Sequence, residues 1–168
     1  VPERVLKVGL VVDADDGFIE AILAAVPLDL LQLHGKESPE RVAAVKARFG
    51  LPVMKAVAIS GPADLRAVRA YEAVADRLLF DAMPPKDATR PGGNALTFDW
   101  MLLKGTAWDR PWMLAGGLDA GNVAEAVRIS GATEVDVSSG VEDAPGVKNV
   151  EKIKAFLAAA RPEAGRAD

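Results

Sequence analysis

Cysteine is absent from this 168-residue sequence, and histidine occurs only once. Without cysteine the chain forms no disulfide bond and no thiolate metal site, and it supplies no cysteine nucleophile or base. One histidine also excludes a zinc site built from several imidazoles. No apolar run reaches the roughly 18 residues that a membrane-spanning helix requires, so a membrane is not an expected partner.

Clustered charge of one sign is missing as well. The chain has 20 Lys and Arg residues against 24 Asp and Glu residues, which gives a net charge of −4, without a basic block. Proteins that bind duplex nucleic acid neutralise phosphates with clustered basic side chains, so nucleic acid is not an expected partner.

Half of the residues are hydrophobic, as in ordinary globular proteins. We therefore expect residues 1–168 to form a single domain with a polar tail at 162–168.

Strand and helix patterns alternate along the chain. Short apolar runs predict strands at 5–12, 28–33, 52–59, 77–80, 112–115 and 133–137. Capping residues and helical spacing predict helices over 17–25, 39–49, 62–71, 97–104, 120–130 and 150–160. Near-continuous apolar strands that are joined by helices indicate an α/β fold with a parallel sheet covered by helices.

Two architectures fit this alternation, an open doubly wound sheet and a (β/α)8 TIM barrel. A dinucleotide-binding doubly wound sheet has G-x-G-x-x-G after its first strand, and residues 12–15 read VDAD. Polar or small residues lie at or near the end of nearly every strand: His34, Lys55, Asp81, Gly116, Gly117, Ser138 and Ser139. In a barrel those ends share one mouth, although a complete barrel usually needs about 250 residues. We favour a barrel of which about six of the eight βα units are present.

Two turns consist of small residues and directly follow apolar strands. One is LAGG at 114–117 and the other is SSG at 138–140. Small residues let phosphate oxygens approach the backbone N–H groups closely, and serine adds hydroxyl donors. A tight strand-to-helix connection has the same composition, so one such turn is a weak signal. Two of them after successive strands predict one anion-binding clamp.

Four motifs in one order give the chain a recognisable resemblance. They are LQLHGKE at 31–37, LLFD at 78–81 with GGNALTFDW at 92–100, LAGGLDAGNV at 114–123 and VDVSSGVE at 135–142. The chain resembles the phosphoribosylanthranilate isomerases, single-domain (β/α)8 enzymes of tryptophan biosynthesis. The resemblance covers essentially all of the chain, from the third barrel strand to the C-terminal helix.

The resemblance implies an Amadori rearrangement of N-(5-phosphoribosyl)anthranilate to 1-(2-carboxyphenylamino)-1-deoxyribulose 5-phosphate. It implies that the reaction needs no cofactor and no metal and that the substrate is a phosphorylated small molecule. It also implies a cytoplasmic enzyme that is a monomer or a homodimer. Asp81 matches the general acid that protonates the furanose ring oxygen, and the apolar strand before it would favour the protonated form by desolvation. A capping or loop aspartate is the alternative for Asp81.

The other site residues follow from the same resemblance. The phosphate clamp corresponds to Gly116, Gly117, Ser138, Ser139 and Gly140, and the substrate pocket to Gln32, His34 and Asp136. Asp136 fits equally well as a buried carboxylate bonded to the backbone. Asn122 fits either as a cap or as a ligand contact, and Lys55 fits either as a mouth residue or as a surface lysine.

Two departures from the family pattern shape the expectation for this chain. The family's base is a cysteine on the first barrel strand, and an arginine after the second strand holds the anthranilate carboxylate. Neither is present here, so we expect the first two βα units to be missing and the chain alone to be inactive. The loop at 82–96 is expected to form a lid.

Two other functions compete with the isomerase. One is another phosphosugar-binding barrel, such as indole-glycerol-phosphate synthase or the histidine-pathway isomerase, which the TFDW and QLHGKE stretches argue against. The other is a non-catalytic phosphate-binding remnant.

Overall fold

The computed structural model describes residues 1–83 and 97–161, so the predicted polar tail and most of the predicted lid lie outside the described residues. The strands are β1 Val8–Val11, β2 Leu30–Leu33, β3 Val53–Ile59, β4 Arg77–Ala82, β5 Trp112–Leu114, β6 Glu142–Ala144 and β7 Val147–Lys148. The helices are α1 Asp16–Ala25, α2 Pro39–Phe49, α3 Pro62–Glu72, α4 Val123–Ser130 and α5 Val150–Ala160. Two short 3₁₀ turns span Trp100–Leu102 and Ser139–Val141.

The strands β1 to β5 form one sheet in sequence order. Its first pairs are parallel, with Val8 opposite Leu30 and Leu31 opposite Val53. Parallel neighbours need a crossover, and α1, α2 and α3 supply it between successive strands. The α/β class with a parallel sheet of five strands is therefore confirmed. Strands β6 and β7 form a separate antiparallel hairpin, which the sequence patterns did not predict.

The chain divides into two compact units. The first contains residues 1–57, 63–79 and 108–111. Its core is formed by apolar side chains that are at most 1% exposed, among them Ile19, Leu31, Leu33, Val42 and Val45. Asp15 begins α1 by accepting a hydrogen bond from the N–H of Phe18, and Ser38 begins α2 in the same way. Gly50 ends α2 in the left-handed conformation, so the predicted caps of this helix are correct.

The second unit contains residues 58–62, 80–107 and the chain from 112 onward. Its buried apolar side chains include Phe80, Leu103, Leu114, Val123 and Phe156. Helix α5 has the predicted bounds and begins at Asn149, whose side chain accepts hydrogen bonds from two backbone N–H groups. Among the helices of the described residues, none combines the length and the apolar character that crossing a bilayer requires.

The predicted sixth strand at 133–137 is wrong. This segment makes one isolated parallel bridge, between Val135 and Leu114. Its hydrogen bonds run from Leu114 N–H to Glu134 O at 2.9 Å and from Asp136 N–H to Leu114 O at 2.8 Å. Leu114 is the last residue of β5, so this bridge lies at the end of the strand and is not part of a longer ladder.

Two predicted helices are shorter than their patterns suggested. The segment 97–104 forms only the 3₁₀ turn Trp100–Leu102, which Asp99 caps. Helix α4 begins at Val123 because the Asp119 carboxylate accepts the N–H groups of Gly121 and Asn122 at 2.7 and 3.1 Å. That local turn replaces the first helical residues.

Candidate functional site

The buried carboxylate of Asp81 lies at the carboxyl end of β4. The strand continues to Ala82, so Asp81 belongs to the ladder and does not follow it. Its side chain is only slightly exposed, at 7%, and Oδ1 accepts a hydrogen bond from the N–H of Ala82 at 2.8 Å. The neighbouring Phe80 O accepts from Ala115 N–H on the segment that follows β5, also at 2.8 Å. Strand pairing and this local bond together fix the direction of the carboxylate.

The glycine pair after β5 lies directly against this carboxylate. Gly116 and Gly117 have φ angles of +89° and +60°, a backbone conformation that residues other than glycine rarely adopt. A Cβ added to Gly116 would lie 2.6 Å from Ala82 N and 3.1 Å from Asp81 Oδ1. No side chain fits between the turn and the end of β4, so the sequence GG is what allows the close approach.

Asn122 braces the glycine turn from within the second unit. Its amide nitrogen Nδ2 donates to Gly117 O at 2.9 Å, and its Oδ1 accepts from Asp119 N–H at 2.9 Å. The side chain makes no cap hydrogen bond to α4. Asn122 therefore supports the turn through hydrogen bonds to the backbone, and its side chain is not the cap of α4 that was one of its two expected roles.

The second small-residue turn packs against the first. Ser139–Val141 forms a 3₁₀ turn, and Gly140 within it is so close to Leu118 that an added Cβ would lie 1.9 Å from Leu118 O. Ser138 is exposed, whereas Ser139 and Gly140 are half-buried. The predicted clamp residues thus form one continuous surface, which reaches Asp81 through Gly116.

Lys148 joins this surface, and sequence reasoning missed it. Its ammonium Nζ donates to Ser138 O at 2.9 Å, to Ser138 Oγ at 3.2 Å and to Glu142 Oε1 at 2.7 Å. The lysine is brought back to the turn by the β6–β7 hairpin, which reverses at Gly146 with φ +81°. The Pro-Gly pair at 145–146 was the available signal for a hairpin.

Asp136 has a half-buried side chain in the second unit. Its backbone N–H donates to Leu114 O as part of the single bridge between these segments. The bridge fixes the main chain of Asp136 two residues before the serine turn.

Gln32 and His34 lie together in the first unit. Gln32 belongs to β2 and is 7% exposed, and its Nε2 is 2.8 Å from His34 Nδ1. The backbone N–H of His34 donates to Val11 O at 2.9 Å. The two side chains lie on the same face of the sheet, because residues two apart along an extended chain point to the same side.

Beside His34 lies an ion pair between Lys55 and Glu37, which are only 3% exposed in their side chains. Lys55 therefore is not a surface lysine. Burial acts to raise the pKa of the Glu37 carboxyl, but hydrogen bonds from Lys55 and from the N–H of Asp13 hold that pKa below its ordinary value. In the part of the chain that the structure describes, no group of three or more acidic or histidine side chains is arranged to hold a metal ion.

Parallel strands with helical crossovers, a buried carboxylate and glycine turns at the carboxyl ends of strands define an α/β protein of the class that binds small molecules at those ends. The family model described as N-(5'phosphoribosyl)anthranilate (PRA) isomerase matches residues 1–159. The chain belongs to this isomerase family.

Named relatives are identical to the chain at more than half of the aligned positions. The N-(5'-phosphoribosyl)anthranilate isomerase of Paramagnetospirillum magneticum is 63% identical over 160 residues, which are 95% of this chain and 74% of that protein. The isomerase of Cereibacter sphaeroides is 61% identical over 95% of this chain and 76% of its own length.

Solved structures of the same family are similar in fold. The phosphoribosyl anthranilate isomerase of Thermotoga maritima has a TM-score of 0.82 at 34% identity, covering 95% of this chain and 75% of that one. An isomerase in complex with reduced 1-(o-carboxyphenylamino)-1-deoxyribulose 5-phosphate has a TM-score of 0.77 at 31% identity, covering 95% of this chain and 73% of its own. A Thermotoga maritima structure of monomers generated from a dimeric isomerase has a TM-score of 0.76 at 32% identity, covering 94% and 73%.

These similarities confirm the family that the four motifs indicated. The chain is an isomerase of the tryptophan biosynthesis family, as its resemblance implied. The roles of individual residues and the number of barrel units stay predictions.

Proposed function

We propose that the residues of this chain act on N-(5-phosphoribosyl)anthranilate, with Asp81 as the general acid of the Amadori rearrangement. The observation that carries this proposal is the contact of Gly116 with the Asp81–Ala82 peptide, which puts the glycine turn beside a buried carboxylate. One end of a phosphorylated sugar can then be held while the carboxyl group reaches the sugar ring.

The chemistry assigned to Asp81 is ring opening. Its carboxyl proton passes to the furanose ring oxygen, the bond between that oxygen and C1 breaks, and the nitrogen lone pair forms a Schiff base. Removal of the C2 proton by a base then gives an enolamine, which tautomerises to the ketose. The chain contains no cysteine. For this reason we assign it the acid step and substrate binding, and we expect no turnover by these 168 residues alone.

Phosphate binding is assigned to the two packed turns. The turns contain glycines with positive φ and a short 3₁₀ turn. Small residues in such turns let phosphate oxygens approach backbone N–H groups closely. Ser138 and Ser139 add hydroxyl groups, and Lys148 holds its positive charge within 3.2 Å of Ser138 Oγ. Gln32, His34 and Asp136 are proposed as further substrate contacts.

The same proposal extends to the architecture and the assembly. We propose a (β/α)8 barrel of which about six of eight units are present, since the chain covers 75% of a solved isomerase with a TM-score of 0.82. A monomer or a homodimer in the cytoplasm fits a family in which one solved member is described as dimeric.

A second candidate is a phosphosugar-binding protein without catalysis. It is favoured by the absence of cysteine, because binding needs only the turns whereas proton removal needs a base. In a protein that carries this chain together with a cysteine base, Asp81→Asn should abolish turnover and leave binding of a product analogue nearly unchanged. Retained turnover would remove Asp81 as the acid.

Isothermal titration of the chain with reduced 1-(o-carboxyphenylamino)-1-deoxyribulose 5-phosphate tests the clamp. Ser139→Glu should weaken binding at least about tenfold, because a carboxylate then faces the phosphate. Ala158→Glu adds the same charge on an exposed position of α5 and should leave the affinity unchanged. Equal affinities for both variants would contradict the proposed site.

A further inference from the structure

The Lys55–Glu37 ion pair has no role in the function proposed above. Lys55 Nζ lies 2.8 Å from Glu37 Oε2, and both side chains are almost fully buried. Removing two charges from water is unfavourable, and apolar residues of similar size often stabilise a core equally well. A buried pair of this kind therefore suggests a task other than stability, and its remaining hydrogen bonds indicate which task.

Lys55 binds the main chain on both sides of His34. Its Nζ donates to Leu33 O at 3.2 Å and to Gly35 O at 2.8 Å, in addition to Glu37. A lysine ammonium has three N–H donors, so these three acceptors use its full capacity. The carbonyl group before His34 and the one after it are thus tied to a single buried charge.

Glu37 holds the same turn through N–H groups. Its carboxylate accepts from Gly35 N–H at 3.0 and 3.1 Å and from Asp13 N–H at 2.9 Å. A Cβ added to Gly35 would lie 2.4 Å from Asp13 Oδ1 and 2.6 Å from Asp13 N, so this turn tolerates no extra atom. The backbone N–H of His34 is itself bonded to Val11 O.

The imidazole of His34 is held by a second contact. Gln32 Nε2 lies 2.8 Å from His34 Nδ1, and an amide nitrogen only donates hydrogen bonds. In this orientation of the Gln32 amide, Nδ1 accepts the hydrogen bond, so a neutral ring would carry its proton on Nε2. This contact depends on the main-chain position of His34, because Gln32 is fixed in β2.

We propose that the Lys55–Glu37 pair positions His34, holding its imidazole in one orientation and as the Nε2–H tautomer for contact with the substrate. Lys55 and Glu37 are positioning residues, since they act on the turn around His34. The part of this inference that concerns substrate rests on the proposed function.

Nuclear magnetic resonance of the imidazole nitrogens tests the inference directly. His34 is the sole histidine, so its side-chain signals need no assignment. The unmodified chain should show one narrow set of signals with the Nε2–H pattern. In the double variant Lys55→Met with Glu37→Gln, which leaves no buried charge unpaired, the signals should broaden and show mixed tautomers.

Affinity for the reduced product analogue is measured on the same samples. It should fall about tenfold in the double variant, with the thermal midpoint nearly unchanged. The matched control is Lys46→Met with Asp76→Asn, which removes a partly exposed pair of the same unit. The hydrogen bonds of this pair join the two side chains and Val53 N–H, and none goes to residues 33–37. The control should leave both the His34 signals and the affinity unchanged.

An Nδ1–H pattern in the unmodified chain overturns the proposal, and so do His34 signals that are the same in the double variant. If the double variant does not fold, the tautomer of the unmodified chain decides the question. Altered His34 signals with unchanged affinity support the positioning of His34. The same result would show that His34 is not one of the substrate contacts of the proposed function.

Discussion

Two turns that carry candidate site residues are each held by a lysine–glutamate pair, in very different surroundings. In the first unit Lys55 and Glu37 hold residues 33–37, and both side chains are 3% exposed. In the second unit Lys148 and Glu142 hold residues 138–142, and their side chains are 44% and 9% exposed. The lysine in each pair also binds a backbone carbonyl of its turn.

The difference in exposure gives the two turns different properties. Water and salt screen the exposed charge of Lys148, so its pair adds little stability and its ammonium stays close to solvent. The buried pair of the first unit is unscreened, and each of its groups depends on the other. We infer that the first turn is built for a fixed geometry, whereas the second can still admit an anion.

The largest expected effect is the loss of one partner from the buried pair. Lys55→Met leaves the Glu37 carboxylate buried without its countercharge, which should lower the free energy of unfolding by about 3–5 kcal/mol. Urea denaturation measures it. Adding Glu37→Gln should restore most of the lost free energy of unfolding. The control Lys46→Met removes one partner of a half-exposed pair and should lower that free energy by less than about 1 kcal/mol. A small effect of Lys55→Met would remove the contrast between the turns.

The second turn should be broken by added volume and not by loss of charge. Gly140→Ala places a Cβ where Leu118 O would lie 1.9 Å away, and a backbone atom cannot rotate aside. Overpacking of this kind should lower the unfolding free energy by about 1–3 kcal/mol. Gly61→Ala is the control, because nothing lies within 4 Å of its added Cβ. Equal stability of the two variants would contradict the tight packing of the turns.

Acid should lower the stability of the first turn, because the Glu37 carboxylate becomes protonated. The pKa of this carboxyl is held below its ordinary value of 4.5 in the folded chain, although burial opposes the shift. The unfolded chain therefore binds more protons, so the contribution is present above about pH 4.5 and is lost as pH falls through the folded pKa.

Urea midpoints from about pH 7 to about pH 3 measure this effect. The unmodified chain should lose stability more steeply than the Lys55→Met, Glu37→Gln double variant, which has no carboxyl to protonate at this position. Parallel curves for the two chains would show that Glu37 does not contribute to the acid sensitivity.

The smallest expected effect is the loss of the exposed pair. Lys148→Met should lower the unfolding free energy by less than about 1 kcal/mol. Its affinity for the reduced product analogue should fall roughly threefold at low salt, with the difference fading at high salt because ions screen the charge. Lys154→Met removes an exposed ion pair on α5 and serves as the control. A salt-independent loss would indicate that Lys148 acts through packing.

Features set by neighbouring residues could be predicted from the sequence. Ser38 and Gly50 mark the ends of α2 because capping needs only side-chain oxygens and a left-handed φ within one turn. The apolar run at 52–59 predicted β3 to within one residue, since a buried strand is apolar on both faces. The same local reasoning placed the glycines of LAGG and the serines of SSG in turns.

Features that depend on a distant partner could not be predicted. The run at 133–137 looks like a strand, but it pairs with β5 only at Leu114, the last residue of that strand. Lys148 reaches Ser138 only because the β6–β7 hairpin folds it back. From the sequence, Lys55 fitted either a mouth residue or a surface lysine, and only the fold brings Glu37 and two carbonyl groups around its ammonium.

The sequence by itself therefore determined the α/β class, the family and the small-residue turns, because these depend on local pattern and on motifs in order. The tertiary structure decided which charges are buried, which glycines touch Asp81 and which lysines support each turn. Burial and close approach arise only when segments far apart in the chain pack together, and no local pattern records them.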